Sequence, residues 1–543
     1  MMTNQKADMN FSILQLSLFT TFLMASSRTP YVCLNCRLSN KLNPLSSPIR
    51  RRFTSSSYRQ QVIRPATAPK PTPNIKHICQ NADAYTKNCI DRNYPSHAEY
   101  PLRIQQLLEE SRRLDQDLKT PRSRIKQVEQ TIAKLARQNA QQGDTNSDEE
   151  LARLRAEAQQ LKDKSHAVTT RKSTCTDEVH RLALSLPNLS SPETPVGHDP
   201  KLIGYINFDP QSPPEYVSRP DPARSHVAIG TSLGLIDFTS SATTTGWGWY
   251  FLTNEGALLE QALIQYSLNV ARRHGWKPVS PPSIVYSYIA EACGFQPRDQ
   301  HNEQQIWTIE QSEKDKSKPQ RSLAGTAEIP LAAMYAGRDI PGSDLPIKLV
   351  GASRCYRAEA GSRGVDTKGL YRVHEFTKVE LFGWSDSLSP DATSTVTSDT
   401  LFADLLSIQS EILTSLNLPC RILEMPTTDL GASASRKQDI EVLFPSRLRS
   451  GSGNVDLESA WGEVTSSSIC TDYQSRRLGT RVRGGAAKES RFPHTVNGTA
   501  MAVPRVLAAI LETGYDAERG VVVVPPVLRS WMGGMEVIGE NKS

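Results

Sequence analysis

Two stretches of heptad periodicity constrain this chain more than any other feature. Ile104, Leu107, Leu114, Leu118, Ile125, Val128, Ile132 and Leu135 fall on the a and d positions of one uninterrupted frame, with Ser111 and Pro121 at the remaining core positions. A second frame runs through Leu151, Leu154, Ala158, Leu161, Val168, Cys175, Val179 and Leu182. Between them the polar, glycine-bearing "NAQQGDTNSDEE", Asn139 to Glu150, reads as a turn, so the pair reads as an antiparallel helical hairpin. With roughly 35 residues in each helix the hairpin would be about 50 Å long. Pro121 should kink or interrupt the first helix, because it lacks an N–H and its ring clashes with the preceding turn. One reading of such a hairpin is a structural or dimerising coiled coil. The other starts from its outward face, where Arg103, Arg112, Arg113, Arg122, Arg124, Lys126, Lys134, Arg137, Arg153, Arg155, Lys162 and Lys164 outnumber the interspersed acids. An arm charged in this way can track the phosphates of a nucleic acid.

At 543 residues the chain exceeds one ordinary core, which implies two or three folded units. Its hydrophobic and charged fractions, 38% and 22%, are those of a soluble globular protein, and a net charge of +6 is compatible with a nucleic-acid partner without requiring one. Nine cysteines without a framework suggest a reducing compartment, and the lone "CLNC" pair, Cys33 and Cys36, is weak evidence for zinc. Phe11 to Met24 is apolar but too short and too broken by Ser and Thr for a membrane span, so no stable membrane association is expected. From Met24 to Pro65 there is no Asp or Glu, and "SPIRRRFTSSSYRQ" is rich in Arg and Ser. That is the composition of a mitochondrial transit peptide, which implies the mitochondrial matrix and Met24 as the true start. A basic RNA-binding tail and a secretory leader are the competing readings.

Composition shifts divide the rest. Residues 1–65 read as the transit peptide and disordered N-terminus, 66–190 as an N-terminal domain carrying the hairpin, 191–245 as a proline-punctuated linker, and 246–543 as an α+β domain. In the last of these "GALLEQALIQYSLNVARRHGW" is an amphipathic helix and "KPVSPPSIV" a strand held at an edge by its prolines.

Four polar clusters follow in order. Thr326 and Glu328 lie in "GTAEIPLAAMYAG", before a helix. Arg357, Glu359, Lys378 and Glu380 recur at every second residue in "RCYRAEAG" and "LYRVHEFTKVELF", which the spacing predicts to be strands with charges on one face. Glu463 and Ser466 interrupt "ESAWGEVTSSSICTDYQSRR", and Asn497 and Thr499 precede the helix bearing Arg505. Any one of these has an ordinary structural reading: a TxE pair often caps a helix, and an Arg on a helix is usually solvated.

Together and in this order, "TAEIPL", "YRAEAGSRGVDTKGLYRVHEFTKVE", "EVTSSSICTDYQSRR", "NGTAMAVPR" and "WMGG" resemble the class II aminoacyl-tRNA synthetases, specifically the seryl-tRNA synthetases, from about Cys79 to Gly534. The resemblance implies a class II antiparallel sheet flanked by helices and preceded by the helical arm. It also implies an ATP-dependent ligase that activates L-serine and transfers it to the 3′ end of serine tRNA. Arg357 would bridge the serine carboxylate and the α-phosphate, a task suited to a guanidinium fork. Glu359 would accept from the adenine amino group, Phe376 and Arg505 would cover the two faces of the base, and Val373 and His374 would close around the nucleotide. Glu463 and Ser466, with Val464 and Thr465 between them, match ATP positions, and the first two match the Mg²⁺ position as hard oxygen ligands. Thr326, Glu328, Arg357, Glu380 and Thr499 would bind serine, with Glu380 and Thr499 holding its hydroxyl. The loop bearing Arg363, Asp366 and Lys368 would approach the tRNA end, the arm would grip the long variable arm of serine tRNA, and two copies would form a homodimer through "GALLEQALIQYSL" and "KPVSPPSIV". Pro504, where the family has a small glycine, is tolerable only in the first turn of a helix. A non-catalytic tRNA-binding paralogue is the alternative reading, and it would have no need of Arg357, Glu359, Glu380, Glu463 and Arg505 together.

Overall fold

The alternation legible in "FTKVELFGW" organises the centre of the molecule. Val379 and Leu381 enter one hydrophobic cluster, while Phe382 and Trp384 enter another on the opposite face, as the two-residue period of a strand dictates. The computed structural model describes residues 63–142, 145–221, 223–296, 304–359, 369–387, 396–450, 455–484 and 490–539. Residues 1–62, which hold most of the stretch read as a transit peptide and "CLNC", lie outside these residues, as do Arg363, Asp366 and Lys368.

The elements that matter for the site are α1 (Tyr100–Gln142), α2 (Thr145–Ser185), β1 (Lys201–Ile206), α3 (Asn254–Arg273), β2 (Lys277–Pro278), α4 (Glu328–Ala333), β3 (Ile347–Tyr356), β4 (Glu375–Ser385), α5 (Ser398–Ser415), β5 (Cys420–Glu424), β6 (Arg436–Leu443), β7 (Trp461–Thr471), α6 (Tyr473–Leu478), β8 (His494–Ala502) and α7 (Val503–Thr513). The strands form one eight-stranded sheet in the order β1-β5-β6-β7-β8-β4-β3-β2. Neighbours are antiparallel except at the β2–β3 edge, where Lys277 pairs in parallel with Leu349. The strand expected over "KPVSPPSIV" is therefore an edge strand, but a very short one. Its prolines end it at Pro278, and Ile284–Tyr286 pairs separately with Arg321–Leu323.

Helices α3, α5 and α7 cover one face of the sheet. Leu259 and Leu263 of α3, Leu405 and Ile408 of α5, and Val506 and Leu507 of α7 share a cluster with Val379 and Leu381. The other face receives α4 and α6 at one side, through Ile329, Leu331 and Leu478, and leaves a concave polar floor beside them. No helix among the described residues is long and apolar enough to cross a membrane.

The arm is longer than its sequence suggests. Helices α1 and α2 contain 43 and 41 residues, about 65 and 62 Å at 1.5 Å per residue. Most of the stretch expected to be a turn is helical, because its Ala, Gln and Glu residues are good helix formers and propagation outruns a polar composition. Pro121 does not interrupt α1. Leu118 and Val128, on either side of it, are buried in the seam, and that packing offsets the roughly 3 kcal/mol a helix-interior proline costs. Cross-helix ion pairs Arg124–Glu157, Lys162–Glu129, Arg171–Glu110 and Lys172–Asp115 line the flanks. Arg122, Lys126, Lys134, Arg137, Arg153, Arg155 and Lys164 make no ion pair among the described residues, and all lie in the distal half.

The foot of the arm is bolted to the sheet by polar groups. The buried guanidinium of Arg92 donates to the carbonyls of Asn188, Leu430 and Gly431. Asn188 in turn donates to the carbonyls of Ser433 and Cys470, both at 2.9 Å. Burial pushes the Arg92 pKa down to about 10, which still leaves it charged at neutral pH.

Candidate active site

The concave floor opens into a cavity of about 390 Å³ lined by residues from β4, β6, β7, β8, α4 and α7. Its deepest part is built by register. Glu380 on β4 stands opposite Thr499 on β8, and both are buried. Lys378 Nζ lies 2.5 Å from Glu380 Oε2 and 3.2 Å from Thr499 Oγ1, and the Thr499 hydroxyl reaches Glu380 at 3.5 Å. Between Asn497 and Thr499, which both face the cavity, only glycine fits, since a Cβ at Gly498 would meet Leu405 Cδ2 at 2.6 Å. Behind this floor Gln409 of α5 donates to Thr465 Oγ1 and to the Thr499 carbonyl (2.8 Å) and accepts from Ser467 Oγ (2.8 Å), clamping β7 to β8.

Glu328 opens α4, and its backbone N–H is capped by Thr326 Oγ1 at 3.3 Å. Its carboxyl accepts from Gln474 Nε2 at 2.7 Å, and Gln474 is oriented by Thr495, whose hydroxyl donates to it at 2.7 Å. Burial, reinforced by the nearby Glu380 charge, raises the Glu328 pKa to about 8 despite Lys378, Gln474 and Arg357. At neutral pH it therefore holds a proton that an incoming cation would expel.

The other end of the cavity is cationic. The Arg357 guanidinium lies 5.3 Å from the centre of the Phe376 ring. Arg505 donates to the carbonyls of Glu463 (2.9 Å) and Tyr371 (3.1 Å) and lies 3.3 Å from the Glu463 carboxylate. Its guanidinium sits over the Tyr371 ring at 4.5 Å, a ring that also receives Arg447 at 4.0 Å. Burial would raise the Glu463 carboxyl, but Arg505, Lys437 and Arg357 hold it well below the usual carboxylate range. Lys437 is tied to Asp439 at 2.7 Å, and burial raises the Asp439 carboxyl in spite of that partner.

Thr326, Glu328, Arg357, Glu359, Val373, Phe376, Glu380, Glu463, Val464, Ser466, Thr499 and Arg505 all line the one cavity. Two candidates, Thr465 and His374, are not among its lining residues. The Thr465 side chain turns through the sheet to Gln409 and the Thr499 carbonyl. His374 points into a cluster of tryptophans and bonds the Arg357 carbonyl at 3.0 Å. The strand expected through Glu359 ends at Tyr356. Glu359 has φ +47°, a left-handed turn, and lies 3.5 Å from Arg372, so it reaches the cavity by leaving the sheet and not by strand alternation. Pro504 lies in the first turn of α7, where its missing N–H costs nothing, and Arg505 is docked. Arg354 is a surface residue between Glu260 and Glu375. Sequence reasoning gave no role to Lys378, although it shares a row with Glu380. Nothing local in the sequence marks Gln409 or Gln474.

Glu463 and Ser466 offer hard oxygen donors at the phosphate-suited end, with Glu463 held ionised. Among the described residues no cluster of three or more His, Cys, Asp or Glu could hold a metal. That donor set fits Mg²⁺, which takes one or two carboxylates and fills its shell with water and substrate phosphates.

The chain matches two family models: the seryl-tRNA synthetase N-terminal domain over residues 74–190, and the tRNA synthetase class II core domain (G, H, P, S and T) over residues 307–514. It is 37% identical to the mitochondrial serine–tRNA ligase of Saccharomyces cerevisiae, across 76% of this chain and 86% of that one. With the mitochondrial serine–tRNA ligase of Schizosaccharomyces pombe it shares 38% identity, over 84% and 87% of the two chains. Among solved structures, the seryl-tRNA synthetase of Pyrococcus horikoshii complexed with ATP superposes with a TM-score of 0.68 at 28% identity, covering 86% of this chain and 99% of that one. An antiparallel class II sheet, a helical arm docked on it and this degree of identity lead to one conclusion: the chain belongs to the seryl-tRNA synthetases, within class II of the aminoacyl-tRNA synthetases.

Proposed function

We propose that the protein is an ATP-dependent serine–tRNA ligase of the mitochondrial matrix. The observation that carries this is one cavity joining a buried Glu380–Thr499–Lys378 cluster to the cationic Arg357 and Arg505. In the first step a serine carboxylate oxygen attacks the α-phosphorus of ATP and pyrophosphate leaves. In the second, a hydroxyl of the terminal tRNA ribose attacks the acyl carbon and AMP leaves.

Little covalent chemistry falls to the protein, so positioning and charge do the work. Arg357, beside Phe376, would bind the carboxylate and α-phosphate bidentately. Phe376 and Arg505 would hold the adenine between them, with Glu359 at its amino group and Val373 and Val464 along its edge. Glu463 and Ser466 would hold Mg²⁺, whose charge when bound offsets that of the ATP phosphates. Glu328 and Thr326 would receive the serine ammonium. Glu380 would accept from the serine hydroxyl, and Thr499 would bond the same group. A site that leaves such polar groups unpaired rejects alanine strongly.

The seven unpaired cations of the distal arm suit the backbone of the long variable arm of serine tRNA, read by shape more than by base. A homodimer, with the arm of one copy serving tRNA at the other, and removal of the N-terminal segment on import complete the reading. Serine-dependent ATP–pyrophosphate exchange by residues 63–543 tests it. Exchange with serine and not with alanine or threonine is the expected result; binding of tRNA without exchange would leave only the non-catalytic role.

A further inference from the structure

Three of the chain's seven tryptophans gather round one histidine beside the cavity. The ring centres of Trp247, Trp249 and Trp307 lie 6.2, 5.8 and 6.1 Å from that of His374. The cluster belongs to neither of the hydrophobic cores that flank the sheet. Trp247 is 63% exposed and Trp307 37%. A single exposed tryptophan needs no explanation, but several sharing one ring make a patch that begs for a ligand.

Its backbone is tied on two sides to the segment that carries Arg357. His374 accepts from the Arg357 N–H (2.9 Å) through its carbonyl and donates its own N–H to the Gly248 carbonyl (2.9 Å). Ala358 donates to the carbonyl of Gln305, two residues before Trp307, at 3.2 Å. Gly248, at φ +85°, lets the two flanking tryptophans close on the imidazole, since a Cβ there would stand 2.5 Å from His374 Cδ2. The patch thus begins one residue from Arg357, which lines the cavity, and next to Arg372, a partly exposed cation.

We infer that Trp247, Trp307 and the imidazole between them form a stacking platform for the unpaired nucleotides at the 3′ end of the tRNA. This deepens the proposed function and rests on it. The terminal ribose must enter a cavity whose walls are already occupied by serine and ATP groups, so the bases preceding it have to be held outside, single-stranded and unstacked from one another. Exposed aromatic faces supply that hold for any base, because every base has a π face, and neighbouring arginines serve the phosphates. The established class of residues for such a task is what the patch contains, and its continuity with Arg357 sets its reach.

The test uses the full chain, with serine tRNA intact or lacking its last three nucleotides. Trp247→Ala and Trp307→Ala should each lower kcat/KM for charging intact tRNA by about tenfold or more, leave serine-dependent ATP–pyrophosphate exchange unchanged, and be rescued by Trp247→Phe. The variants should bind truncated tRNA as tightly as the parent does, and intact tRNA more weakly. Unchanged charging would overturn the platform, as would equal weakening of both tRNAs. So would sedimentation showing that Trp247→Ala dissociates a dimer, which would make the patch a subunit contact. Failure of the unaltered protein in the exchange assay would instead overturn the ligase reading itself.

Discussion

With Glu328 in its proposed place at the serine ammonium, serine binding is expected to release a proton. The Glu328 carboxyl, with a pKa of about 8, must ionise before it can receive an ammonium, while serine's own ammonium stays charged across the neutral range. The observed Kd should then scale as one plus ten to the power of pKa minus pH, so moving from pH 8 to pH 6 weakens serine binding about 50-fold. Near pH 7 about 0.9 proton should leave for each serine bound. Calorimetry of serine binding in two buffers of different ionisation enthalpy reads both quantities. Glu328→Gln should bind weakly and lose both the slope and the released proton. The same shift acts on folding, with a fixed sign. Folded Glu328 favours its neutral form, so its contribution is complete below the ordinary 4.5 and is lost as pH rises through about 8. The unliganded protein should accordingly lose stability over that window, and the Gln variant should not. A flat serine-binding profile in the parent protein, or a slope that survives in Glu328→Gln, would refute the reasoning.

Arg357→Ala should abolish ATP–pyrophosphate exchange and leave tRNA binding within about twofold by filter binding, since the charge lost is aimed at the reacting phosphate and not at the arm. Removing residues 115–171 and closing the ends with a short turn keeps the foot cluster of Ile104, Leu107, Cys175 and Val179; exchange should persist while charging falls by two orders of magnitude or more, and equal charging would remove the tRNA from the arm. Gln409→Leu should cost about 1–3 kcal/mol in urea denaturation, because it strands the Ser467 hydroxyl behind the floor and leaves the Thr499 carbonyl only the Thr465 hydroxyl.

The parts of the molecule that sequence conveys are those written locally. Heptads announce the arm, and alternation in "FTKVELFGW" announces a two-faced central strand. The order of the polar clusters points to a single cavity through the family resemblance that they carry together. What the sequence hides is pairwise and distant. Gln474 orients Glu328 from 146 positions away, and Lys378 finds Thr499 across 121; neither pairing leaves a mark on its own neighbourhood. Glu359 misleads in a different manner: its spacing from Arg357 mimics strand alternation, but the chain has already left β3 and turned left-handed. Pro121 misleads because a propensity rule for isolated helices is overridden by a long seam of packing.

The arm can also be considered as a lever. A rigid hairpin some 60 Å long multiplies any looseness at its foot, so a rotation of about 5° there would sweep the tip through about 5 Å, more than the reach of a hydrogen bond. The Arg92 guanidinium spans three carbonyls that belong to both sides of the hinge. A planar fork resists tilting about more than one axis, where the point charge of a lysine would act as a swivel. The two carbonyls on the sheet side belong to Leu430 and Gly431, and Gly431 lines the cavity wall. Aim at the tip and shape at the wall are thereby set by the same planar group, and a shot that misses the tRNA and a pocket that fits serine poorly would be two symptoms of one loosened bolt.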